Sequence, residues 1–344
     1  MKTLIKTAGS CIALIGLGLG TATLAATAAG AAELRLSVET PPGHLRNRAA
    51  EHWAELIAEK TEGSVTVAIF PAAQLYKSAD AVRALASGAL DMSIQANPTL
   101  SQFEPNLSVL SLPAFYGASG DEVLELLSGP VGDELWGMVG RLNIHIPEAG
   151  PFLYAPNNTS YTAGKLVASY DDLAGVKLAT PPSPIVVNLL KELGAAPQAT
   201  PRSEIVLQLS QGQIDGLGAV TDLTIMGGKL WEAGIENVFV DNAGWGIYIP
   251  LISQRSLEKL SDAEQAAIEE AWAETVGWAN EQSAMERAEA RSVNESHGLV
   301  YTEASAEQIE AMKAKLLAAQ ADIVKAGGMD AGFIERAAAA LNGM

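Results

Sequence analysis

The chain has 344 residues, with 22 Lys and Arg against 40 Asp and Glu, a formal charge of −18 and a single cysteine, Cys11. Phosphate backbones and anionic bilayers are bound through clustered Lys and Arg, so this balance argues against nucleic acid and anionic membrane surfaces as partners. One cysteine excludes a disulfide framework, and it removes thiolate-held zinc and iron–sulfur sites.

Lys2 and Lys6 precede the apolar run "CIALIGLGLGTATLAA" and the small-residue stretch "TAAGAAE", the pattern of a secretory signal peptide over residues 1–32. The run is short, rich in Gly, Ala and Thr, and lacks a basic stop-transfer flank, so it does not read as an anchor. Its removal leaves a periplasmic protein of charge −20, because Lys2 and Lys6 leave with it. What remains exceeds the usual size of a single core and predicts two lobes.

The stretch "ELRLSVETPPGH" alternates as a strand, and "LRNRAAEHWAELIAEKTEG" follows with helical spacing of Leu45, Ala49, Trp53 and Leu56. The strand "SVTVAIFPAAQL", the helix "SADAVRALASGA" and the strand "LDMSIQAN" repeat the unit. Such alternation predicts an α/β lobe with a largely parallel sheet whose ligands lie beyond the carboxyl ends of the strands. A second series begins near Tyr154: the strand "VKLAT", the helix "SEIVLQLSQGQ", the strand "IDGLGAV", the helix "TDLTIMGGKLWEAG" and the strand "WGIYIPLISQ". From Ser261 to about Glu295 the spacing of Ala267, Ile268, Ala271, Trp272 and Val276 predicts one helix. At ~35 residues and ~1.5 Å per residue it spans ~50 Å, enough to join both lobes. Helices near 305–325 and 330–342 close the chain. Residues 33–155 with 245–284 are assigned to lobe 1, and 156–244 with 285–344 to lobe 2.

The catalytic inventory is thin. His44, His52, His145 and His297 show no metal-ligand spacing, and there is no G-x-S-x-G elbow, dinucleotide fingerprint or Walker A loop. No metal or cofactor is predicted, and the chain does not read as an enzyme; His44 with Glu39 is the one acid–base pair a rival enzyme reading could use. Ligand-facing candidates come from strand ends. Glu39 ends the first strand, His44 follows the first strand-to-helix turn, and Gln95 and Asn97 end the third strand.

The segments "FPAAQL", "VRALASGALDMSI", "LSLPAFY", "DDLAGVKLAT", "LGAAPQATPRSEIVLQLSQGQIDG" and "LSDAEQAAIEEA", in this order, resemble the DctP-type extracytoplasmic solute receptors of TRAP transporters. The resemblance covers nearly the whole mature chain. It implies a two-lobed periplasmic-binding-protein fold with a central cleft, a long helix across both lobes, and delivery of a small organic solute to small and large membrane subunits; a monomer is expected. An ABC-type binding protein is the nearer alternative.

Two positions depart from the family. Its strand usually ends in an arginine that forks onto the ligand carboxylate, where this chain has Ala179, and its "DGQENP" asparagine is matched by Ala219. Arg202 stands where relatives carry a large aromatic, and is either an anion grip from the opposite side of the cleft or a solvated residue. Losing the usual arginine favours a cationic or neutral solute such as an amino alcohol, held by Glu39 or Asp222 under Phe115, Trp245 or Tyr248. A monocarboxylate on Arg202 is the alternative.

Overall fold

The computed structural model describes residues 31 to 343. The expected signal peptide lies outside the described residues except for its last two positions, and Ala32 already opens β1 (Ala32–Ser37). Helix α1 (Leu45–Lys60) buries Leu45, Ala49, Trp53 and Ile57, so Ile57 and not Leu56 completes the i, i+4 stripe. Strand β2 (Val65–Phe70), helix α2 (Ser78–Ser87), strand β3 (Met92–Ala96) and the single turn α3 (Asn97–Leu100) follow. Two 3-10 turns over 105–115 and the helices α4 (Gly120–Ser128) and α5 (Pro130–Gly140) come next, in a segment where the sequence reading assigns no element. Strands β4 (Ile144–His145) and β5 (Phe152–Pro156) end this half.

The second half runs through β6 (Ser160–Thr162), β7 (Lys177–Thr180), α6 (Pro184–Glu192), β8 (Ala196–Ala199), α7 (Ile205–Ser210), β9 (Gly216–Leu217), α8 (Asp222–Gly228) and β10 (Asn237–Val240). The single helix expected over "TDLTIMGGKLWEAG" stops at Gly227-Gly228. Lys229 takes a left-handed conformation there (φ 45°), and a 3-10 turn continues from Leu230. Strand β11 (Trp245–Ser253), the short α9 (Gln254–Leu257), the long α10 (Asp262–Ser296), β12 (Val300–Glu303), α11 (Ala306–Ala326) and α12 (Ala331–Asn342) complete the chain.

These strands form two six-stranded sheets. The first has the order β2-β1-β3-β11-β4 with β5 also on β11, and the second β12-β10-β6-β9-β7-β8. Each keeps a parallel βαβ part, β2-β1-β3 and β8-β7-β9. Both are mixed and not largely parallel, because the strand that crosses from one sheet to the other enters at the cleft end and runs backwards. Thus β11 is antiparallel to β3, and β6 is antiparallel to β10 and β9.

The long helix is tied to both halves. Ser261 and Glu264 form a capping box at its start. Trp53 Nε1 donates to Ile268 O at 3.2 Å and Trp272 Nε1 to Gly150 O at 2.8 Å, on the first-sheet side. Near its end Asn294 Nδ2 donates to Tyr301 Oη at 3.0 Å and to Asp222 O at 3.3 Å, on the second. The last helix, α12, packs on α4 and α5, so the carboxyl end of the segment assigned to lobe 2 rests on helices of lobe 1.

The chain crosses between sheets at residues 157–159 and 241–244, and hydrogen bonds lock the two crossings together. Asn157 N donates to Gly244 O at 2.9 Å, and Asp241 N and Asn242 N both donate to Asn158 Oδ1 at 3.2 Å. The Asp241 carboxylate accepts from Thr159 N at 2.9 Å, from the Thr159 hydroxyl, and from Tyr170 Oη at 3.0 Å. Burial outweighs these donors and pushes the Asp241 pKa up to about 6. A folded pKa above the ordinary carboxylate value means the neutral form stabilises the fold: that contribution is complete below pH ~4 and is lost as pH rises through about 6. Urea midpoints from pH 4 to 7.5 are therefore expected to carry a falling component that Asp241→Asn removes. An unchanged slope in the variant would refute this assignment.

Candidate functional site

The carboxyl ends of β1, β3 and β5 and the start of β11 meet at one edge of the first sheet. The Pro41-Pro42-Gly43 turn, with Gly43 at φ 86°, sets His44 as the N-cap of α1. Its Nδ1 accepts from Arg46 N at 3.1 Å, so the neutral ring carries its proton on Nε2, which lies 3.4 Å from Tyr154 Oη. Period-two alternation puts Phe152 and Tyr154 on one face of β5, and Tyr248 joins them from β11. The Tyr154 and Tyr248 rings lie 4.7 Å apart between centroids, and His44 is 5.6 Å from Tyr154 and 6.0 Å from Tyr248. The result is an aromatic floor.

Beneath it Arg46, 1% exposed, sits 4.8 Å over the Tyr248 ring and donates from Nη2 to Glu39 at 2.9 Å. Arg48 pairs with Glu286 of α10. Burial first, then the charges of Arg202, Arg46 and Arg48, lower the His44 pKa well below the usual imidazole value. His44 is therefore a neutral donor at pH 7. Burial raises both tyrosine pKa values, and they stay protonated.

Helix α8 of the second half packs against this floor. A methyl group added at Gly227 would lie 3.9 Å from His44 Cδ2, and Leu223 and Met226 of α8 join the apolar cluster that holds Tyr154 and Tyr248. Arg202 follows β8, is half-buried, and lies near enough for its charge to act on His44, Tyr154 and Tyr248. Among the described residues it has no carboxylate partner.

The other sequence candidates are placed differently. Asn97 is 2% exposed and spends its Oδ1 on Ile247 N at 3.2 Å, while Gln95 donates from Nε2 to Ser93 Oγ at 2.7 Å and keeps a buried, unpartnered Oε1. Phe115, 1% exposed, lies in the large apolar core and is not brought to the floor. Trp245 donates from Nε1 to Ala118 O at 2.8 Å and packs at the start of α4. Asp222 accepts from Tyr161 Oη at 2.9 Å and from Tyr301 Oη at 3.1 Å, inside the second lobe's own network. Ala179 is 1% exposed, in the buried cluster of the second lobe with Ile205 and Leu217. Ala219 takes φ 54° and lines a cavity of about 20 Å³, room for a water, with Tyr116, Asn157 and Thr159. Sequence reasoning missed Tyr154 and Arg46. The i, i+2 aromatic pair Phe152/Tyr154 at a strand end was the available signal for the first, and nothing local distinguishes Arg46.

The profile of the bacterial extracellular solute-binding proteins, family 7 (DctP), matches residues 36 to 326. The chain belongs to this family. A solute-binding protein of Roseobacter denitrificans is 28% identical over 289 residues, 82% of this chain and 85% of its own. An uncharacterised protein of Sinorhizobium fredii is 31% identical over 185 residues, 53% of this chain; the match spans 33% of that longer protein. Among solved structures, a TRAP periplasmic solute-binding protein of Sulfitobacter sp. with bound β-D-galacturonate superposes with a TM-score of 0.81 at 16% identity, covering 91% of this chain and 100% of its own. This family 7 chain is thus an extracytoplasmic solute receptor of the TRAP type and not an enzyme. Among the described residues no helix is long and apolar enough to cross a membrane, and no three His, Cys, Asp or Glu side chains cluster for a metal.

Proposed function

We propose that this receptor works as a monomer, traps a small organic acid between its lobes and hands it to the TRAP membrane subunits. The solute is a monocarboxylate. The reading rests on Arg202, which is half-buried after β8, has no carboxylate partner among the described residues, and lies near enough for its charge to act on His44, Tyr154 and Tyr248. A guanidinium in such a place fits a carboxylate, and its attraction differs between open and closed lobes, which is what drives closure. The acid in the Sulfitobacter receptor agrees with this choice. A cationic or neutral head group, the other option raised by the bare Ala179, needs an uncommitted carboxylate. Glu39 is engaged by Arg46, and Asp222 by Tyr161 and Tyr301.

The test is thermal unfolding against a panel of carboxylates and of amines and amino alcohols. A carboxylate at 100 times its Kd stabilises by about 2.7 kcal/mol and raises Tm by several degrees, while the amines leave it unmoved. Stabilisation by an amine alone overturns the reading.

A further inference from the structure

The aromatic floor is covered in this structure. Tyr154 and Tyr248 are 5% and 4% exposed, and Leu223 and Met226 of α8 pack in the same apolar cluster. No solute reaches those rings unless α8 moves, so what holds α8 decides when the floor opens.

The start of α8 is held by a chain of hydrogen bonds whose direction is dictated by its first residue, Asp222. A carboxylate only accepts, so Tyr161 Oη turns its proton to Asp222 Oδ1 at 2.9 Å, and Tyr301 Oη does the same at 3.1 Å. Each phenol oxygen is then free to accept, from Asn158 Nδ2 at 2.8 Å on one side and from Asn294 Nδ2 at 3.0 Å on the other. With Nδ2 so placed, Asn158 turns Oδ1 to the backbone amides of Asp241 and Asn242, both at 3.2 Å, which joins the two crossings. Asn158, Tyr161 and Asn294 are at most 4% exposed, so bulk water does not replace a lost partner. Two residues before α8, Val220 O also accepts from Asn158 N at 2.8 Å. Beyond its other end Trp231 stacks on His297, the C-cap of α10, with 4.1 Å between ring centroids.

We infer that Asp222 is a positioning residue for solute access: through Tyr161 and Asn158 it ties α8 to the crossings, so that the floor is uncovered only when the crossings rearrange, and α8 does not open as a separate lid. The coupling is a property of the unliganded chain and needs no solute to be seen.

Amide hydrogen exchange of the full mature chain at pH 7, without ligand, tests it. In Asp222→Ala, exchange is expected to rise about tenfold both over residues 223–228 and at 241–242, while residues 262–282 of α10 keep their wild-type protection. Asp222→Asn, whose Oδ1 can still accept from both tyrosines, should restore both segments. Tyr161→Phe keeps the buried ring and removes only the middle link, and it should deprotect the two segments together. A rise over 223–228 alone, with 241–242 unmoved in both Asp222→Ala and Tyr161→Phe, would reduce Asp222 to a local helix anchor and overturn the coupling. No rise in either segment overturns it as well, and so does failure of Asp222→Asn to restore protection. Should Asp222→Ala lose protection throughout, α10 included, Tyr161→Phe decides alone: joint loss confined to the two segments upholds the coupling, and any other pattern overturns it.

Discussion

Replacing Arg202 by alanine is expected to weaken solute binding about 100-fold while leaving the Tm of the unliganded protein nearly unchanged. A hydrogen bond to a charged group contributes about 1.5–3 kcal/mol, and in a closed cleft its loss also strands the ligand carboxylate away from water. Stability is spared because the half-exposed guanidinium makes no ion pair among the described residues, and surface substitutions of that kind usually stay within ~0.5 kcal/mol. Arg202→Lys keeps the charge and loses the planar fork, so a loss of about tenfold should remain.

A second readout needs no ligand. Arg202 is, after burial, the first of the three charges that depress His44, so its removal must move the His44 titration upward, toward the ordinary imidazole range. Proton NMR of the His44 ring across pH 4 to 8 in wild type and Arg202→Ala measures that displacement. An unmoved midpoint would mean that Arg202 does not face the floor, and the grip assigned to it would fail with it.

How much of this was legible in the chain differs by residue. The long helix was, since the apolar stripe of Ala267, Ile268, Ala271 and Trp272 and a Ser261 cap with Glu264 three positions on are local signals, and the helix runs Asp262–Ser296. The βα units of both sheets were legible for the same reason. The direction of β11 was not, because whether a strand runs parallel or antiparallel depends on where the chain comes from, and periodicity within Trp245–Ser253 is identical either way. Arg202 was singled out by the resemblance, standing where relatives carry a large aromatic, yet the sequence could not show that Glu39 and Asp222, its rivals for the ligand, are engaged. Arg46 bonds Glu39 from seven residues away, but Tyr301 reaches Asp222 from 79. Non-local pairing of that kind leaves no trace in composition or spacing. The bare Ala179 has a plain reason in the folded chain: its side chain belongs to the buried cluster under β7 and not to the floor.

The pair beneath the floor carries the other large effect. Arg46 is fully buried with Glu39 as its carboxylate partner, its Nε has no partner, and Nη1 makes only a long 3.3 Å bond to Ile94 O. Glu39 raises the Arg46 pKa against the opposing effect of burial, so the guanidinium stays charged and depends on that neighbour. Breaking such a pair from either side strands one charge: Arg46→Met leaves Glu39 alone, and Glu39→Gln leaves Arg46 alone in the interior. Removing one partner of a buried pair costs about 3–5 kcal/mol, with Glu39→Gln toward the lower end because Glu39 retains some contact with solvent. Replacing both together, Arg46→Met with Glu39→Gln, removes both charges and keeps the stack on Tyr248 filled, so most of the loss should return. Urea denaturation of the two single variants and the double closes the cycle, and a favourable coupling of about 2 kcal/mol or more is expected. Additive losses would show that Glu39 does not serve Arg46, and would return Glu39 to the set of residues free to meet a ligand.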